Sequence, residues 1–177
     1  LDFLIIDALL PDNGACATIQ TMHGHFGAST IVIGLVPADN QDAAETWARL
    51  VDRYPGSELV NFGRYWQAKS LLALGQTDEA QIQLDALLEE RPDYAPAKML
   101  KAELLTARQQ FAEAIVLLDQ LIADEPQAAR AYYFKGLAHV GQGERQTAQT
   151  ALAKAIELAP RDARARMLMA EIYMGER

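Results

Sequence analysis

From residue 41 onward the apolar residues recur at steps of three and four, the spacing that gathers them on one face of a helix. In DAAETWARLVDRY, residues 42–54, Ala43, Trp47 and Val51 fall in line four apart. The same series returns as Ala80–Leu84–Leu88, Ala114–Leu118–Ile122 and Ala148–Leu152–Ile156. Each series stops four residues short of a proline (Pro55, Pro92, Pro126 or Pro160), whose ring ends the helix. A second helical stretch precedes each of the last three series, with a small residue, Ala68, Ala102 or Gly136, twenty-four positions before the proline. A small side chain there lets two helices approach closely. Gly75 and Gly143 follow these first helices, as a residue required in the left-handed conformation would, and Gln109 replaces glycine in the middle unit.

Pro92, Pro126 and Pro160 are 34 residues apart, and the Ala, Leu and small positions keep the same interval. On these residues the chain resembles the tetratricopeptide-repeat (TPR) family over residues 42–174. The resemblance implies an all-α helix–turn–helix solenoid. A half repeat would occupy residues 41–57, full repeats 61–94, 95–128 and 129–162, and a terminal helix 163–175. The 37 residues between Pro55 and Pro92 imply a three-residue insertion near residues 56–60. The family's early aromatic is matched only by Tyr132, with Arg64 and Lys98 at that offset elsewhere, and His139 stands where Tyr or Leu is usual. YPGSELVNFGRYWQAKSLLALG is similar to the repeats of bacterial envelope assembly proteins, which implies a bacterial source. The terminal helix carries Met167, Met169 and Met174, so it is expected to face a partner or a continuation of the chain.

Residues 1–40 follow another pattern. DFLIID and STIVIGLV read as strands, and ACATIQTMHGHFG between them as a helix, which makes a parallel βαβ fragment. The alternative is a poor first helix over residues 24–36, which the run Thr30–Ile33 disfavours. Asp7, Pro11 and Gly14 resemble the phosphorylation loop of a response-regulator receiver domain, which would make Asp7 a phospho-acceptor. The acidic pair that holds Mg²⁺ in that family is missing, Gly34 stands where a Ser or Thr is needed, and the segment has no Lys. Two strands cannot form a stable sheet alone, so residues 1–36 are expected to pack on the repeats or on a second copy.

Composition narrows the function. Half of the 177 residues are apolar, enough for a packed core. The net charge is −8, with no Lys or Arg before Arg49, which argues against nucleic acid as a partner. No apolar run approaches the ~20 residues of a membrane span, so membrane insertion is not expected. A single cysteine and no visible leader point to the cytoplasm, or to the bacterial periplasm if the chain is a processed fragment. Cys16, His23 and His25 match no four-ligand zinc spacing, Cys16 has no base placed by a motif, and GLVPADN is no phosphate loop. No cofactor, metal or catalytic activity is expected.

The TPR resemblance also implies a groove lined by first helices. Carried over by offset, the lining is Phe62, Tyr65 and Lys69, then Met99, Glu103 and Thr106, then Arg130, Tyr133 and Leu137. Chaperone-binding members clamp a C-terminal carboxylate with Lys and Asn in the first repeat. Here Tyr65 and Lys69 hold those offsets, so that clamp is broken. The expected function is a non-catalytic scaffold that holds a partner peptide or helix in the groove. The alternative is a signalling protein with the repeats as output module of a receiver-type regulator. Self-association through residues 1–36 or the Met-rich terminal helix is a further expectation.

Overall fold

The computed structural model describes residues 19–21, 33–35, 40–53, 55 and 59–175 of the chain. Two short strands, β1 (Ile19–Thr21) and β2 (Ile33–Leu35), come first. Eight helices follow among the described residues: α1 (Asn40–Arg53), α2 (Leu59–Ala73), α3 (Thr77–Glu90), α4 (Ala95–Ala107), α5 (Phe111–Asp124), α6 (Ala129–Gly141), α7 (Arg145–Leu158) and α8 (Ala163–Met174). The chain divides into two compact units, Leu1–Gln83 and Leu84–Arg177.

The strands correct the expectation for the first forty residues. β1 lies inside the stretch read as a helix, whereas β2 lies inside STIVIGLV, read as a strand, and so against the alternative helix 24–36. They pair antiparallel, Ile19 opposite Leu35 and Thr21 opposite Ile33, which is not the parallel pairing of a βαβ unit. β-Branched residues in both segments favour the extended chain over the helix. The stretch DFLIID, Asp7, Cys16, His23 and His25 lie outside the described residues.

In the second unit the helices alternate between two layers. α4 packs beside α6 and α6 beside α8, while α5 and α7 lie behind them. The repeated sequence positions build repeated backbone bonds. Gly75, Gln109 and Gly143 have φ of 78°, 61° and 79°. In each case the next residue's N–H reaches back to the helix: Gln76 to Leu71, Gln110 to Leu105 and Glu144 to His139, all at 2.9 Å. This is the Schellman turn, and it reverses the chain between paired helices. The second helices close on Arg91, Glu125 and Ala159, whose N–H groups bond to Leu87, Leu121 and Ala155. A proline follows each of them and cannot continue the helix.

The buried faces differ from the sequence pattern in one respect. Ala80, Leu84, Ala114, Leu118, Ala148 and Leu152 are wholly buried as expected, but Leu87, Leu121 and Ala155 are buried and their neighbours Leu88, Ile122 and Ile156 are only half-buried. In the second unit α5 contacts both α4 and α6, and α7 both α6 and α8, so such a helix buries a band two columns wide. Within the second unit an ion pair recurs at one repeat position: Lys101–Asp85 at 2.7 Å and Lys135–Asp119 at 2.6 Å. Among the described residues no helix is long and apolar enough to cross a membrane.

Candidate partner-binding face

In the first unit Phe62, Tyr65 and Lys69 stand on α2, and all three are engaged with tryptophan. Phe62 lies between Trp47 of α1 and Trp66, with ring centroids 5.5 and 6.0 Å away. Tyr65 meets Trp66 edge-on at 5.6 Å, and the Lys69 ammonium sits 4.4 Å from the centre of the Trp66 ring. Trp47 is buried with Ala43 and Leu50, and Phe62 and Trp66 close over that cluster. The first-unit face is therefore a continuous aromatic surface capped by one cation. Trp66 was not among the residues carried over by offset. Its place one residue after Tyr65 was the available signal.

The second unit presents a face of different chemistry. The 34-residue interval sets Arg130 beside Arg164, Met99, Tyr133 and Met167 in a second row, and Glu103, Leu137 and Glu171 in a third, on the parallel helices α4, α6 and α8. Met99 leans into the core formed by Ala102, Leu105, Ala114, Leu118 and Ala131. Arg130 Nη2 pairs with Glu103 and its guanidinium lies 5.9 Å from the Phe134 ring centre. Arg164 lies 5.3 Å from the Tyr133 ring centre, and Tyr133 meets Phe134 edge-on at 5.1 Å. Each arginine thus rests on an aromatic ring and is held by a carboxylate.

The Arg164 carboxylate partner is Asp162, the N-cap of α8, which accepts the Arg164 backbone N–H at 3.0 Å and its Nη2 at 2.6 Å. The donated side-chain hydrogen bonds, then the backbone one, lower the Asp162 carboxyl to about 2. The same pairing raises the Arg164 guanidinium above its ordinary value.

Thr106 is buried, and its hydroxyl donates to the Ala102 carbonyl at 2.7 Å, so it serves its own helix. Its flank opens onto a recess of about 290 Å³ between α4, α6 and the start of α5. Glu103, Thr106, Phe111, Phe134, Leu137, Val140 and Gly141 line it. Phe111, Phe134 and Gly141 were missed by offset reasoning. A Cβ on Gly141 would stand 2.2 Å from Phe111 Cζ, so only glycine lets that ring lie on the end of α6. Gly141 has no positive φ, unlike Gly143 two residues on, and a glycine with no turn to make is a sequence sign of close approach.

A second cleft of about 450 Å³ lies between α6 and α7 and is lined by Tyr132, Lys135, Thr147, Thr150, Lys154 and Glu157. Its charges are matched internally, Lys154 to Glu157 at 2.8 Å and Lys135 to Asp119 at 2.6 Å. His139, buried at the end of α6, has Nδ1 2.7 Å from a Glu144 oxygen and ties α6 to the start of α7. Among the described residues no three His, Cys, Asp or Glu side chains gather to hold a metal ion.

Comparisons with known proteins fall on the same helices. No curated protein sequence matches the chain. The solved structure of MamA from Desulfovibrio magneticus RS-1, residues 41 to the end, is similar with a TM-score of 0.69 at 23% identity, covering 77% of this chain and 76% of that one. YrrB, a TPR protein with an unusual peptide-binding site, gives 0.65 at 21% identity, covering 72% and 64%. The first TPR domain of human RPAP3 gives 0.62 at 17% identity, covering 67% and 93%. At such identities the likeness establishes the fold, an all-α helix–turn–helix solenoid. Two family models, both described as tetratricopeptide repeat, match residues 65–121 and 105–172; neither reaches the segment that resembles a receiver domain, and residues 65–172 are tetratricopeptide repeats.

Proposed function

We propose that the protein is a non-catalytic scaffold that binds a partner peptide or helix on its first helices. The repeats would run over residues 61–94, 95–128 and 129–162, after a half repeat at 41–57 and before a terminal helix at 163–175. On the first unit the contact residues are Phe62, Tyr65 and Lys69. On the second they are Met99, Glu103, Thr106, Arg130, Tyr133 and Leu137. The observation that carries the reading is the open recess beside Arg130 and Leu137, on the layer of helices that is concave in this family. The peptide-binding site of YrrB, a protein of similar fold, supports the same use of the scaffold.

Affinity capture from the source lysate tests this, with the parent chain compared to Tyr65→Glu/Tyr133→Glu. Circular dichroism first confirms that the variant keeps its helix content, because Tyr133 also packs on the core around Leu152. A protein recovered by the parent and lost by the variant supports the reading. A prey held equally by both contradicts it.

Self-association through α8 is a second partner reading, motivated by Met167, Tyr173 and Met174, which are 63%, 55% and 68% exposed. Light scattering at rising concentration tests it. A mass that stays at one chain removes it.

A further inference from the structure

We infer that the first-helix face of the second unit selects a peptide with an acidic side chain and a large apolar side chain about 10 Å apart. The inference rests on the partner-binding reading and names the chemistry of the partner. Two neighbouring features of the face, which share Glu103 and Phe134, set the two requirements.

The first is the pair Arg130 and Arg164, which hold the same position in successive repeats near the starts of α6 and α8. Their side chains are 54% and 52% exposed, whereas the carboxylates that steady them, Glu103 and Asp162, are only 20% and 32% exposed. The outward polar surface at this end of the face is therefore guanidinium. Arg130 reaches Glu103 through Nη2, and Arg164 reaches Asp162 through Nε and Nη2. A guanidinium carries five N–H donors in a fixed fork, so each arginine keeps donors for a second carboxylate. Phe134 and Tyr133 lie against the two heads, so little side-chain freedom remains to be lost on binding. Glu171, exposed in the third row, makes the opposite end of α8 unfavourable to an acid and so gives the ligand a direction.

The second feature is the recess. At about 290 Å³ it lies at the lower edge of small-ligand cavities, and it suits one side chain of the size of Leu, Met or Phe. Its lining is mostly apolar, with Phe111, Phe134, Leu137, Val140 and Gly141; of its polar members Glu103 is held by Arg130 and the hydroxyl of Thr106 is turned to Ala102. An apolar side chain entering there leaves no buried donor without a partner. Arg130 and Leu137 are separated along α6 by about 10 Å at 1.5 Å per residue. An extended peptide covers that distance in about three residues, and a helical one in about seven.

The test is selection from a displayed library of random peptides, long enough to form two helical turns, against the full chain. Enriched peptides are expected to carry Asp or Glu with Leu, Met or Phe about three or seven positions away. Fluorescence anisotropy with the best of them, as synthetic peptides, is expected to show roughly 10-fold weaker binding to Arg130→Gln/Arg164→Gln. Arg130→Lys/Arg164→Lys, which keeps the charge and loses the fork, is expected to fall between the two. Enriched peptides that lack an acid, or that bind the glutamine variant equally well yet are lost on Leu137→Glu, overturn this inference and leave the partner-binding reading standing. No enrichment, or binding that survives all these substitutions, overturns both. Thermal melts of each variant separate lost binding from lost folding.

Discussion

The two units fill the same repeat offsets in different ways. On α2 of the first unit the positions assigned by offset hold Phe62 and Tyr65, and the rings of Trp47 and Trp66 pack against them. On α4, α6 and α8 of the second unit the corresponding positions hold Met99, Glu103, Arg130 and Tyr133, and beside them a recess stays open. The repeat period decides where a side chain stands. Whether the face there is filled or open depends on its neighbours, which the period does not constrain.

The largest test of this contrast lies in the first unit. Trp47 is 5% exposed and supports both Phe62 and Trp66, so Trp47→Ala is expected to destabilise that unit by about 3–5 kcal/mol. Hydrogen exchange is expected to show protection lost in α1 and α2 and kept in α6 and α7. Uniform loss along the chain contradicts the separate-unit account.

In the second unit the close approach is between Gly136 and Leu152. A Cβ at Gly136 would lie 2.6 Å from Leu152 Cγ, and Leu152 is wholly buried with nowhere to move. Gly136→Val is expected to cost about 2 kcal/mol in urea unfolding. Gly136→Ala is expected to cost less, about 1 kcal/mol, because the better helix preference of alanine offsets part of the clash that its Cβ makes with Leu152. A Gly136→Ala variant as stable as the parent, with Gly136→Val equally stable, would mean that crowding against Leu152 is not the controlling contact.

How much of this was legible depends on the kind of contact. The helices and their turns were, because Ala80, Ala114, Ala148, the three prolines and Gly75 each do one local job at one repeated place. Even the departure at Gln109 was visible, and it holds φ 61° where its counterparts are glycine. The second buried column, Leu87, Leu121 and Ala155, was not; at Leu121 and Ala155 it reflects a helix packed between two others rather than the period of one helix. The recess escaped for the same reason. Phe111 comes from the start of α5 and Phe134 and Gly141 from α6, and no offset within one repeat joins them. In the N-terminal segment the strand at Ile33–Leu35 was legible from its β-branched run, whereas Ile19–Thr21, read as part of a helix, is a strand.

Smaller effects sharpen the picture. Gln109→Gly relieves a left-handed non-glycine residue and is expected to stabilise by about 0.5–1 kcal/mol, read as a rise in the thermal midpoint. Asp162 has a folded value of about 2 against an ordinary 3.8, so its contribution to α8 is present above the ordinary value and is lost as pH falls toward 2. Amide exchange in α8 is therefore expected to differ between the parent and Asp162→Ala near neutrality and to converge in strong acid. A difference that persists in strong acid would mean that the charge of Asp162 is not what caps the helix.

The most direct test of the central claim is an amide NMR titration of the chain with a peptide taken from the library selection. The account predicts shifts at Glu103, Arg130, Phe134, Leu137 and Arg164, on the first-helix face of the second unit. Shifts confined to the cleft between α6 and α7, at Tyr132, Thr150 and Lys154, would place the ligand on the other layer and contradict it.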